Sequence, residues 1–177
     1  MRHSISDEQK KYAWNLVQSV NYGRRGEADG NQEMQYTGIL GEVCFADLME
    51  LPRPVAKDGW DNGIDFVISG KNVDLKTMAR TIDSSPNFVN NLIVSQVERG
   101  QTDIYIFSTI NKNTSTIEFV GWIPKRNLRR EWIIRRGTER TRRDGTSFAA
   151  RADMYEIPNK ILFPFLPASF SNTLSIQ

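Results

Sequence analysis

The apolar residues of this 177-residue chain change period at Ile64, and that change constrains the fold more than any other feature. Before it, Ala13, Leu16, Val17 and Val20 recur at helical spacing behind Ser6 and Gln9, which stand in capping-box register. They predict a helix over about 7–20. Ile39, Leu40, Val43, Cys44, Ala46 and Leu48 predict a second helix over about 35–50, ended by Pro52 and Pro54. The polar, Gly-rich stretch 21–34 between them reads as a loop. Beyond Ile64 the period is two. Ile64, Phe66 and Ile68 alternate with Asp65 and Val67, and Val73, Leu75 and Thr77 alternate with Asp74 and Lys76, which predicts a β-hairpin. Further strands are expected near 91–95, 103–110, 116–123 and 154–157, with a short helix after Pro124. Two helices followed by a run of strands make an α+β (α/β) domain, and the length suits one domain over 1–177.

Strand parity then decides which side chains meet. An even loop, either Gly70-Lys71 or Ser69 to Asn72, pairs Ile68 with Val73, Phe66 with Leu75 and Ile64 with Thr77 on one mostly apolar face. The other face carries Asp65 opposite Lys76 and Val67 opposite Asp74. An odd loop would mix the two sets, which a half-buried sheet disfavours. Two carboxylates and an ammonium on one face suit a hard divalent cation such as Mg²⁺, which takes oxygen ligands and commonly shares them with a substrate phosphate. The bland alternative is a cross-strand ion pair worth under ~1 kcal/mol if exposed.

This pattern resembles the PD-(D/E)XK phosphodiesterase superfamily. The resemblance rests on Asp65, on Asp74-Leu75-Lys76, and on Glu42 within Gly38-Ile39-Leu40-Gly41-Glu42. It covers roughly residues 35–123; Ile64 stands where many members have Pro, and residues 125–177 match no branch. It implies a restriction-endonuclease-like core, a central mixed sheet flanked by helices, with a basic C-terminal extension. It implies a Mg²⁺-dependent DNA endonuclease (Mn²⁺ substituting), with Glu42, Asp65, Asp74 and Lys76 as catalytic residues. Asp65, Asp74, the Leu75 backbone carbonyl and Glu42 would hold the metal, and Lys76 would position or activate the water. Gln96 and Asp61 are accessory candidates, though a surface Gln and a turn-forming Asp are the plainer readings. Small residues at Gly38 and Gly41 would let the helix approach the sheet. A homodimer is one arrangement the resemblance allows. The alternatives are a non-cleaving nucleic-acid-binding module of the same fold, or a nuclease specialised for branched DNA or RNA.

Composition narrows the chemistry from the other side. The chain has one cysteine, Cys44, and one histidine, His3, so a Cys/His zinc site and a His-based triad are excluded. His3 is expected near a mobile terminus, and Cys44 in the core. Nothing points to a haem or a nucleotide cofactor. With no 18-residue apolar run and no apolar leader, the chain is expected to be cytoplasmic and off the membrane. The net charge is only +2, yet residues 125–153 hold ten Lys and Arg against four acids. Of these, Arg126, Arg129, Arg130, Arg135, Arg136, Arg140, Arg142 and Arg143 are expected to grip a DNA backbone, because Arg forms bidentate phosphate contacts. Trp132-Ile133-Ile134 would anchor this arm, and the apolar run Ile161–Leu166, within the C-terminal segment 154–177, would pack back on the domain or cover a partner subunit.

Overall fold

The computed structural model describes residues 1–19, 31–56, 62–141 and 145–175. The chain is a mixed α+β fold built on two sheets. The larger sheet joins β1 (Arg2–Ser4), β2 (Phe66–Ile68), β3 (Lys71–Arg80), β5 (Ile104–Asn111) and β6 (Thr116–Pro124), in the spatial order β1-β6-β5-β3-β2. β3 and β5 run parallel and the other pairs antiparallel. The parallel pair requires a crossover, which contains β4 (Val89–Ile93) and the short helix α3 (Val94–Arg99). The smaller sheet places β10 (Met154–Pro158) between β4 and β7 (Ile133–Ile134). β8 (Glu139–Thr141) and β9 (Ser147–Ala149) form a separate hairpin.

Alternation along β5 separates two cores. Ile104, Ile106 and Ile110 face the helical side, with α2 (Gln32–Leu48) supplying Ile39, Leu40, Val43, Cys44 and Phe45 and α1 (Asp7–Ser19) supplying Ala13 and Val17. Tyr105 and Phe107 face the other side, where Leu92, Val97, Tyr155 and Ile157 meet them. β5 is buried along its whole length, as a central strand covered on both faces must be. Phe165, Phe170 and Leu174 complete the helical-side core, the last two from α4 (Pro167–Ser175), a helix the sequence reading did not anticipate. The apolar C-terminal run does return to the body. Trp122 and Phe163 exchange backbone hydrogen bonds of 3.0 and 2.9 Å, and a Cβ on Gly121 would lie 2.7 Å from the Phe163 carbonyl.

The α1 start follows its sequence signal. The Ser6 hydroxyl accepts from the Gln9 N–H at 3.1 Å, and the Gln9 side chain accepts from the Ser6 N–H at 2.9 Å. The expected strand at 91–95 ends instead at Ile93, where α3 begins; a six-residue helix is too short to show its period. His3 lies not in a mobile tail but in β1, opposite Ile117, with its ring half-buried and its pKa pushed down by burial and by the nearby N-terminal ammonium. Cys44 is buried, and burial raises its thiol to about 12, which removes it as a nucleophile.

Candidate functional site

The hairpin closes one step earlier than its sequence suggested. Phe66 pairs with Val73, Val67 with Asn72 and Ile68 with Lys71, so the turn is Ser69-Gly70. Both turn residues are left-handed, at φ 49° and 73°, the geometry a two-residue type I′ turn demands. The register is therefore two residues from the expected one. A two-residue slip preserves parity, so Phe66, Ile68, Val73 and Leu75 still share the buried face. What changes is the neighbour: the ladder ends at Phe66–Val73, and Asp65, just outside it, meets the Val73 and Leu75 backbone instead of facing Lys76.

Asp65 ends the ladder. Its N–H donates to the Val73 carbonyl at 2.9 Å, and its carboxylate accepts the Leu75 N–H at 2.6 Å. That side-chain oxygen stands where the next backbone acceptor of β2 would be. β2 is consequently only three residues long, shorter than the expected 64–68, and β3 beyond Val73 has no described strand on that margin. N–H and C=O of one strand residue point the same way, so the Leu75 carbonyl faces the same open margin.

A cavity of about 510 Å³ occupies this notch. Its walls include Glu42 from α2, Asp65, Asp74, Leu75 and Lys76 from the hairpin, and Gln96 from α3. The fold thus brings the expected quartet and the accessory Gln96 to one void. Asp61 lies outside the described residues, as do Arg142 and Arg143. Asp74 is 4% exposed, and Lys76 Nζ stands 2.6 Å from its Oδ1. Among the described residues that oxygen receives no hydrogen bond, and its close contact is the Lys76 ammonium. Among the described residues no three His, Cys, Asp or Glu side chains stand together as a metal-holding group.

The two glycines of the α2 motif differ. A Cβ on Gly41 would fall 1.9 Å from Thr77 Oγ1, so this residue sets the close approach of α2 to β3. A Cβ on Gly38 would meet nothing within 4 Å, because Gly38 faces the cavity and not the sheet.

Three lining residues escaped the sequence reading. Gln35 lies one helical turn before Gly38, in line with Glu42, and that spacing was available in the sequence. Tyr105 sits beside Asp74 in the parallel register; burial first, and then the Asp74 charge, push its hydroxyl pKa up. Only the β3–β5 pairing, which is non-local, reveals it. Arg53 holds the cavity's Pro52–Val55 lip in place. Its guanidinium binds Asp47 at 2.6 and 2.7 Å and Glu8 at 2.5 and 2.8 Å, and it lies 5.1 Å from the Tyr12 ring centroid. These hydrogen bonds push the Arg53 pKa up and hold the two carboxyls below their usual range.

The basic segment forms short 3-10 turns and small strands, and the short helix expected after Pro124 is the 3-10 turn Lys125–Asn127. Trp132 and Ile133 do pack on the second core. Arg126, Arg129, Arg130, Arg135 and Arg136 are exposed. Arg135 pairs with Asp153 at 2.6 Å, and Arg140 grips Glu156 with two bonds of 3.0 and 3.1 Å. Two of the expected phosphate contacts are therefore engaged within the chain. Comparison with family models, with curated proteins and with solved structures returned no match to this chain.

Proposed function

We propose that this chain is a divalent-metal-dependent nuclease of restriction-endonuclease-like fold that hydrolyses DNA phosphodiester bonds at the β2–β3 notch. The observation that carries the reading is the convergence of Glu42, Asp65, Asp74, Leu75, Lys76 and Gln96, from separated segments, on one cavity.

The donor set fits a hard cation. Asp74 offers a buried oxygen that receives no hydrogen bond. Asp65 lines the same cavity, and the Leu75 carbonyl faces the same margin. Glu42 adds a carboxylate from the helical wall. These would be the ligands, with water and substrate phosphate completing the shell, as Mg²⁺ commonly requires. When bound, the ion supplies an acidified water and neutralises charge on the phosphate. Lys76 holds its ammonium at the Asp74 carboxylate, where it can orient the attacking water or meet the developing phosphate charge. Asp65, tied to the Leu75 N–H, fixes the strand margin at which these groups meet.

The alternative is a nucleic-acid-binding module of the same fold that does not cut. Incubation of supercoiled plasmid with Mg²⁺ or Mn²⁺, against chelator, separates the two. Metal-dependent cutting that Lys76→Ala abolishes is the expected result. Binding without cutting by the wild type would establish the second reading.

A further inference from the structure

Residues two apart on a strand share a face, so Asp74, Lys76, Met78 and Arg80 stand in one row along β3. β4 accompanies this row. The Val89 carbonyl accepts Arg80 Nη2 at 3.3 Å, while Asn91–Ile93 line the cavity together with Asp74–Thr77. The row therefore continues the candidate site beyond its cavity and ends on a guanidinium.

The surroundings of Arg80 are unlike those of the ion-paired arginines. Arg2, Arg53, Arg135 and Arg140 each bind a carboxylate. Among the described residues Arg80 has none: its guanidinium lies 4.3 Å from the Phe88 ring centroid and reaches Met78 Sδ at 3.7 Å and the Val89 carbonyl. Its Nε is buried with no acceptor. Burial alone pushes its pKa down, with no acidic neighbour to offset it. A half-buried cation without a counter-charge is costly, and a planar fork stacked on an aromatic ring is already oriented for an anion.

We propose that Arg80 is a phosphate-binding site for the backbone of the nucleic-acid strand that enters the cavity. Four residues of strand separate it from Lys76, about 13 Å, so it holds a phosphate other than the scissile one. The proposal rests on the nuclease reading and extends it, because it fixes the path of the bound strand along β3.

The test is a salt titration of a fluorescein-labelled DNA 20-mer, single-stranded and duplex, in chelator to prevent cutting. Arg80→Met should flatten the slope of log affinity against log salt by about 0.7–0.9, the release of one counterion. Its melting temperature should equal or exceed the wild type's, since an uncompensated cation is removed. Arg80→Lys should retain the wild-type slope and bind several-fold more weakly, because charge remains without the fork. A wild-type slope in Arg80→Met overturns the site and leaves the nuclease reading standing. So does a melting loss of several degrees in Arg80→Met that Arg80→Lys shares, which would make Arg80 a structural prop. Wild-type protein that binds neither DNA overturns both. An Arg80-dependent slope in a protein that never cuts retains this site and overturns the nuclease reading.

Discussion

Around the cavity, Glu42, Asp65, Asp74, Lys76 and Gln96 arrive from α2, the approach to β2, β3 and α3 and face one void. In the basic segment, residues close in sequence disperse: Arg129 lies 5.7 Å from the Trp132 ring centroid, Arg135 turns to Asp153, Arg140 to Glu156, and the Arg126 and Arg130 side chains are exposed. The first group is sparse in sequence and dense in space; the second is the reverse. The cause is backbone regularity. A strand repeats every two residues, and a helix places i, i+3 and i+7 on one side, so spacing fixes direction. The short turns of 125–141 impose no such period. Local charge density is thus a weaker guide to a site than charge in register with an element.

The largest expected effect tests the convergence directly. Lys76→Ala should lower cleavage at least about 100-fold, the usual consequence of removing a group that stabilises developing charge, while leaving DNA binding within a few-fold. Asp74→Asn should abolish cleavage with little change in melting temperature, because it relieves a buried charge and Lys76, its ion-pair partner, is exposed enough to turn its ammonium to solvent. A large melting loss in Asp74→Asn would show the cavity carboxylate to be structural and would erase its contrast with the arm.

Next in size is the seat of α2. Gly41→Ala drives a methyl into Thr77 and should cost about 2–3 kcal/mol, the range for overpacking. Gly38→Ala meets nothing and should stabilise the helix by up to about 1 kcal/mol, the glycine–alanine propensity difference. Denaturant unfolding of the pair checks this. Equal effects would mean that α2 is not held against β3 at Gly41. A reduced cleavage rate in Gly38→Ala, with stability raised, would mark that wall of the cavity as part of the substrate path.

The legible and illegible parts of the fold divide along the same line. The capping box at Ser6 and Gln9, the α2 face and the parity of the hairpin are local patterns, and each is realised. The hairpin register was missed because Ser69 carries a left-handed conformation that residue type alone rarely signals. β1, the β3–β5 pairing and α4 depend on contacts between distant parts of the chain, which no window of sequence displays. For the same reason Glu42, Asp65, Asp74, Lys76 and Gln96 could be nominated from the sequence, while Tyr105, Arg53 and the isolation of Arg80 could not.

Asp65→Ala follows in magnitude. It removes the acceptor of the Leu75 N–H and should cost about 1.5–2 kcal/mol, the value of a hydrogen bond to a charged group. Asp65→Asn keeps an acceptor oxygen and should recover most of that stability without recovering cleavage. If both variants melt alike and both cut, Asp65 serves only to end β2. The candidate site then shrinks to Asp74, Lys76 and Glu42, and the convergence around the cavity loses one of its four segments.

The smallest effect belongs to the dispersed region. The Arg136 N–H and then the Arg135 guanidinium hold the Asp153 carboxyl below its usual range. A carboxyl depressed in the folded state contributes stability above its unfolded pKa of about 4, and that contribution disappears as the pH falls through the lower folded value. Melting curves from pH 7 to pH 2 should therefore separate wild type from Asp153→Asn slightly at neutral pH and merge at the acid end. The same variant releases Arg135. If the basic segment contacts DNA, Asp153→Asn should steepen the salt slope of binding by up to about one unit. An unchanged slope would leave Arg135 as an internal tether and confine phosphate recognition to the row along β3.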